Sequence, residues 1–238
     1  MESRVLRKPG PDTAPTDDEP RWYASIAVLV ILVLYVTLPS RLQYGPSWWF
    51  LVPVLGILIP LSILRPSRVR DTALTRAAAI ALIVIVNIFN VVSVALLVHG
   101  ILFHPKGELP LGGDNAKLLI AGSQIWVTNI LVFALWYWEI DNDGPAQRAR
   151  VSGFSDFADP DFLFTPMILG KSNLKCLDPH WKPKFADYLY LAFTNALAFS
   201  PTDTFPITIP GKVLMTGQAI ISFVTIAIVV ARAVGALQ

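Results

Sequence analysis

The chain has 238 residues, of which 54% are apolar and only 15% charged, against roughly 45–50% and about 25% in an ordinary soluble domain. This excludes a soluble enzyme as the natural reading, and a net charge of +2 with no basic stripe interleaved with aromatics gives nothing for nucleic acid. Cys176 is the single cysteine, so an intramolecular disulfide and a cysteine-built metal cluster are ruled out.

Residues 1–20 are polar and Pro-rich, with basic residues set apart from the first apolar run. They read as a flexible tail rather than a cleaved leader, whose apolar stretch would follow the charges directly. Apolar runs then follow at Trp22–Leu38, Ser47–Leu64, Ala73–Phe103 and Leu118–Trp138. Each has about the length that some 30 Å of hydrocarbon asks of a helix. Residues 21–138 are therefore expected to be a four-helix transmembrane region, with Trp48 and Trp49 suited to the headgroup level.

Residues 139–185 differ in kind, being rich in Asp and Pro without a helix-length apolar stretch, and read as an extramembrane loop. The segment 186–238 comprises a short apolar run to Ala198, the polar link SPTDTFPITIPGK and a last apolar run, Val213–Leu237. The fold class is thus all-α, a polytopic transmembrane bundle. Residues 186–204 either cross, giving six spans, or dip in and return, giving five with a re-entrant pore-helix-like segment. Lys and Arg concentrate in the tail, after the second run and in 139–185, which predicts a cytoplasmic N-terminus on the same side as that loop, in a multi-pass protein of the cell membrane.

The stretches WYWEIDNDGP at 136–145, PDFLFTPM at 160–167 and DYLYLAFTNALAFSPTDTFPIT at 187–208 resemble a family of uncharacterised bacterial polytopic membrane proteins. Its C-terminal half distantly resembles the pore module of tetrameric potassium channels. The resemblance implies that 186–238 is a helix-loop-helix pore module, with pore-loop candidates Thr194, Asn195, Phe199, Ser200, Pro201, Thr202, Asp203 and Thr204. Ser200 and Thr202 would stand where a potassium filter has glycines, and Pro201 where it has an aromatic. Potassium selectivity is therefore not expected, because the filter backbone needs glycine to turn its carbonyls to the ion. A channel module also opens its loop outward, whereas the charge pattern places this one inside.

Ala227, Ala231 and Gly235 form a small-residue stripe for helix packing, within the chain or between copies of a homo-oligomer. Asn87 with Asn90, and Gln124 with Thr128, share helix faces and read as interhelical glue more readily than as a solute path. Glu139, Asp141 and Asp143 lack the spacing of a calcium loop and read as solvated carboxylates. His99, His104 and His180 do not make a zinc set, and no nucleophile elbow, phosphate loop or HExxH motif occurs. The expectation is a non-enzyme without cofactor or bound metal ion. Its partners are the bilayer and further copies of itself, and it passes or senses a small cation. The alternative is a non-conducting membrane protein whose polar loop docks a partner.

Overall fold

The computed structural model describes residues 22–63, 73–103, 115–149, 160–169, 181–198 and 203–235. The expected tail, His104, Cys176, His180 and Phe199–Thr202 lie outside the described residues.

Helix α1, Trp22–Val36, is followed by a short 3-10 turn at Ser40–Leu42, and α2 spans Trp48–Ile63. The α1 carbonyl end is closed by two side chains. The Thr37 hydroxyl donates back to the Val33 carbonyl at 2.8 Å, and Gln43 Nε2 donates to the carbonyls of Tyr35 and Leu38 at 2.9 and 2.6 Å. These bonds add to the backbone N–H groups of Thr37 and Leu38, which reach the Val33 and Tyr35 carbonyls at 3.0 and 3.2 Å, in closing the helix end. Both helices are apolar but only 15 and 16 residues long.

Helices α3, Ala73–Leu102, and α4, Asn115–Ile140, follow. Beyond α4 the chain turns sharply through Asn142 and Asp143, at φ 47° and 61°, and Gly144 at φ 96°. The left-handed region favours Gly and tolerates Asn and Asp, so the sequence Asn-Asp-Gly suits this bend. Pro145 then opens the short helix α5, Pro145–Ala149, a first-turn position where its missing N–H costs nothing. After it come strand β1, Phe162–Phe164, helix α6, Thr165–Leu169, helix α7, Phe185–Ala198, strand β2, Thr204–Pro206, and helix α8, Ile209–Gly235. The helical expectation holds, with one addition. β1 and β2 pair antiparallel in the register Phe162↔Pro206, Leu163↔Phe205 and Phe164↔Thr204.

Among the described residues, three helices are long and apolar enough to cross a membrane: Ala73–Ile101, Ala116–Asp143 and Ile209–Ala231. The middle one, α4, is the hub and packs against α1, α3, α7 and α8. Its span is 61% buried, against 22% for α8, so α4 runs through the interior and α8 lies at the periphery. One apolar cluster, with Ile31, Phe50, Val86, Tyr137, Phe162 and Leu191, joins the helices to the ribbon. A second, with Leu42, Leu97 and Ala121, fills the opposite end.

Candidate functional site

The C-terminal end of α4 is fastened to the ribbon and to α7 by one carboxylate. Asp141 is fully buried, whereas carboxylates past a helix end are expected in water. Its Oδ1 accepts the backbone N–H groups of Asp161 and Phe162 at 2.7 and 3.2 Å, and its Oδ2 accepts the Tyr188 hydroxyl at 2.5 Å. Arg148, also buried, donates to the carbonyls of Asp141 and Trp138 at 2.5 and 2.8 Å and lies 5.0 Å from the Tyr188 ring centroid. The positive charge thus sits beside the negative one, with hydrogen bonds to both, the arrangement a buried ion needs. Glu139 is buried as well, while Asp143 is exposed and paired with Arg76 at 2.9 Å. The three acidic residues point to three different surroundings. Among the described residues no group of three or more His, Cys, Asp or Glu is arranged to hold a metal.

The same end of the molecule carries the start of α8. The Thr208 hydroxyl donates to Asp161 Oδ1, the Ile207 N–H donates to the Asp161 carbonyl at 2.8 Å, and the Thr165 hydroxyl donates to the Asp203 carbonyl at 2.7 Å. Gly211 in the first turn of α8 approaches so closely that an added Cβ would stand 3.3 Å from the Asp161 carbonyl oxygen. Through Asp141 and Asp161, the first turns of α7 and α8 are held at one level, with β2 beside them.

From there both helices run along α4. Gln218 of α8 is fully buried where the three meet. Its Oε1 accepts the Tyr137 hydroxyl at 2.5 Å and Asn195 Nδ2 at 2.8 Å, and its Nε2 donates to the Ala192 carbonyl at 2.7 Å. One turn deeper, Asn129 Nδ2 donates to Ser222 Oγ at 2.8 Å, and Asn90 Nδ2 reaches Asn129 Oδ1 at 3.5 Å. Asn90, Asn129, Asn195, Gln218 and Ser222 thus form a buried polar seam that joins α3, α4, α7 and α8.

The sequence candidates separate on this frame. Asn195 enters the seam, whereas the Thr194 hydroxyl turns back to the Tyr190 and Leu191 carbonyls of its own helix, both at 3.0 Å. Thr204 is buried in the ribbon and Asp203 is half-buried beside it. Asn90 and Gln124 bond across helices as glue would, to Asn129 and to the Thr37 hydroxyl, whereas the Thr128 hydroxyl turns back to the Gln124 carbonyl of its own helix. Ala227 and Ala231 are exposed and Gly235 ends α8, so the stripe does not supply the close approach within the chain. That role falls to Gly122 of α4, where an added Cβ would collide with Val229 of α8. His99 is exposed, its ring 5.1 Å from that of Phe103. The structure corrects the reading of Asp141 as a solvated carboxylate, and sequence reading did not single out Asn129, Tyr137 or Gln218. The available signal was Gln218, Ser222 and Thr225 at i, i+4 and i+7, one polar stripe on an apolar helix.

Comparison of the chain with protein-family models, with curated proteins and with solved structures finds no match.

Proposed function

We propose that the chain is a multi-pass protein of the cell membrane whose α7–β2–α8 segment is a re-entrant, channel-like module, passing or sensing a small cation as a homo-oligomer. The carrying observation is that α7 and α8 start at the same end of α4 with β2 beside them. A 14-residue helix is about 21 Å long, short of a hydrocarbon core of roughly 30 Å. A helix that enters from one face and is followed by a chain already back at that face adds no crossing of its own, and this return, rather than its length, sets α7 apart from the comparably short α1 and α2; with α1 and α2 counted as crossings the total is five. This arrangement also has the order of parts in a pore helix, a loop and an inner helix, which agrees with the resemblance to tetrameric channel pore modules. Non-helical backbone at membrane depth is tolerated where protein buries it or water reaches it.

The exposure of α8 supports assembly. Ala227 and Ala231 are exposed on a helix whose span is 22% buried, which leaves these two positions open to a second copy. The Lys and Arg distribution favours a cytoplasmic N-terminus, with the Asp141 end of the bundle on that same face. Conduction is tested by reconstituting the full chain in liposomes and measuring monovalent-cation flux, with native mass measurement of the same preparation. Flux with an oligomeric mass supports the proposal; no flux, or a monomer in both detergent and membrane, overturns it.

A second reading rests on a separate observation. Asp141, Asn142 and Arg148 are buried against their own bundle, as in a non-conducting membrane protein whose polar loop is a rigid docking element. An inert but oligomeric preparation would favour it. Neither reading calls for enzymatic chemistry.

A further inference from the structure

A cavity in the half of the bundle remote from Asp141 is lined by Tyr35, Phe50, Asn90, Ser93, Gln124 and Thr128, among others. It lies between α1, α2, α3 and α4. Three polar atoms of its lining residues, the Tyr35 hydroxyl oxygen, Ser93 Oγ and Gln124 Oε1, are shut off from solvent and make no hydrogen bond to another described group. Ser93 is 2% exposed. Buried polar atoms are seldom left without a partner, because stripping them of water costs more than an average hydrogen bond returns.

The orientation of Gln124 follows from its other bond. The Thr37 hydroxyl spends its proton on the Val33 carbonyl at 2.8 Å, so toward Gln124 it can only accept. Gln124 therefore presents Nε2 to Thr37, at 2.9 Å, and keeps Oε1 as an acceptor inside. The occupant of the cavity must donate to Gln124 Oε1 and bond a hydroxyl. It must also be small, because the space open to the centre of a water-sized sphere is about 10 Å³, near the minimum for one water. The polar donors lining it carry no formal negative charge to neutralise a cation.

We infer that this cavity is a binding site for one water molecule, held between Ser93 Oγ and Gln124 Oε1. Ser93 lies one turn from Asn90 on the same face of α3, and Asn90 reaches Asn129. The water site thus lies one helical turn beyond the end of the buried seam, between Asn90 and the exposed Thr37, in the interior of a single chain.

The test uses the full chain in mild detergent and in lipid discs. Radiolytic footprinting in ¹⁸O-labelled water should oxidise Phe50, which is 1% exposed and lines the cavity, well above Phe133, which is 3% exposed and does not line it. Equal labelling of the two overturns the inference. Ser93→Ala should lower Tm by about 2–4 °C, the scale of one lost hydrogen bond in a protein of this size. Ser93→Val, which fills the space, should lower it as well. An unchanged or higher Tm in both variants would mean a dry, unpaired hydroxyl and overturns it.

Discussion

The Tyr188 hydroxyl donates to Asp141 Oδ2 at 2.5 Å, so the first turn of α7 is bolted to the residue that follows α4, 47 positions earlier. The other carboxylate oxygen holds the chain entering β1. One side chain therefore sets the relative positions of α4, the ribbon and α7.

Asp141→Asn should destabilise the protein by about 2–4 kcal/mol, because it weakens three charge-assisted hydrogen bonds and leaves the Arg148 charge buried beside a neutral group. Tyr188→Phe should cost less, on the order of 1–2 kcal/mol. The double variant should cost less than the sum, since both changes break the same contact. Reversible unfolding in mild detergent measures all three.

Within the seam the expected order of cost is Gln218→Leu, then Asn195→Leu, then Ser222→Ala. Gln218 serves two donors and one acceptor, Asn195 donates to Gln218 Oε1 and to the Met215 carbonyl, and Ser222 accepts a single bond. Hydrogen bonds between membrane helices are worth about 0.6–2 kcal/mol, so Gln218→Leu belongs at or above the top of that range. Equal costs at the three positions would mean that the network does not act as drawn.

Gly122→Ala and Ala231→Leu should separate folding from assembly. The first places a methyl against the β-branched Val229, a crowding that costs about 1–3 kcal/mol and lowers Tm. The second adds volume at an exposed position. It should leave the stability of a single chain unchanged while lowering the oligomeric mass in native mass measurement.

On the proposed conducting reading, Asp203→Asn should reduce cation flux without loss of insertion or fold. The Asp203 backbone carbonyl, not its carboxylate, is what Thr165 holds, so the ribbon keeps its anchor when the charge is removed. A carboxylate at the mouth of a cation path contributes through its charge. Flux equal to wild type in liposomes would take Asp203 off the path.

Asp187, in the first turn of α7, is pushed above the usual carboxylate range by burial, partly offset by the Lys184 N–H at 2.7 Å and by the Lys184 charge, with the Asp203 carboxylate adding to the rise. A raised value means that the folded protein keeps this proton longer than the unfolded chain does. The contribution of Asp187 to stability therefore falls as pH climbs from about 3.9, the unfolded value, through the folded one, and is flat below and above. Asp187→Asn should remove that slope from a plot of Tm against pH.

The helices were legible because each apolar run is continuous and ends at a polar or Pro-rich break; the short run after residue 185 and Phe185–Ala198 nearly coincide. The ribbon was not, since three-residue strands carry no period to read and their pairing joins Phe164 to Thr204 across 40 positions. Asp141 looked like one of three similar carboxylates. Its burial depends on the backbone N–H groups of residues 161 and 162 and on Tyr188, partners that spacing within 139–143 cannot reveal. Asn195 was singled out in the sequence as a pore residue. Its place in the seam follows from Gln218, a lone amide in an apolar run that no local pattern ties to α7.

The central position of α4 has a consequence for synthesis. Tyr137 precedes its acceptor Gln218 by 81 residues and Asn129 precedes Ser222 by 93. At roughly 5–20 residues per second, the partner-bearing helix leaves the ribosome several seconds after α4 does. For that interval the amide and phenol on α4 have none of their α8 partners, and leaving such groups in lipid without partners is unfavourable. In a membrane-inserted chain, the helix buried most deeply in the finished bundle would thus stand without these partners until α8 is made.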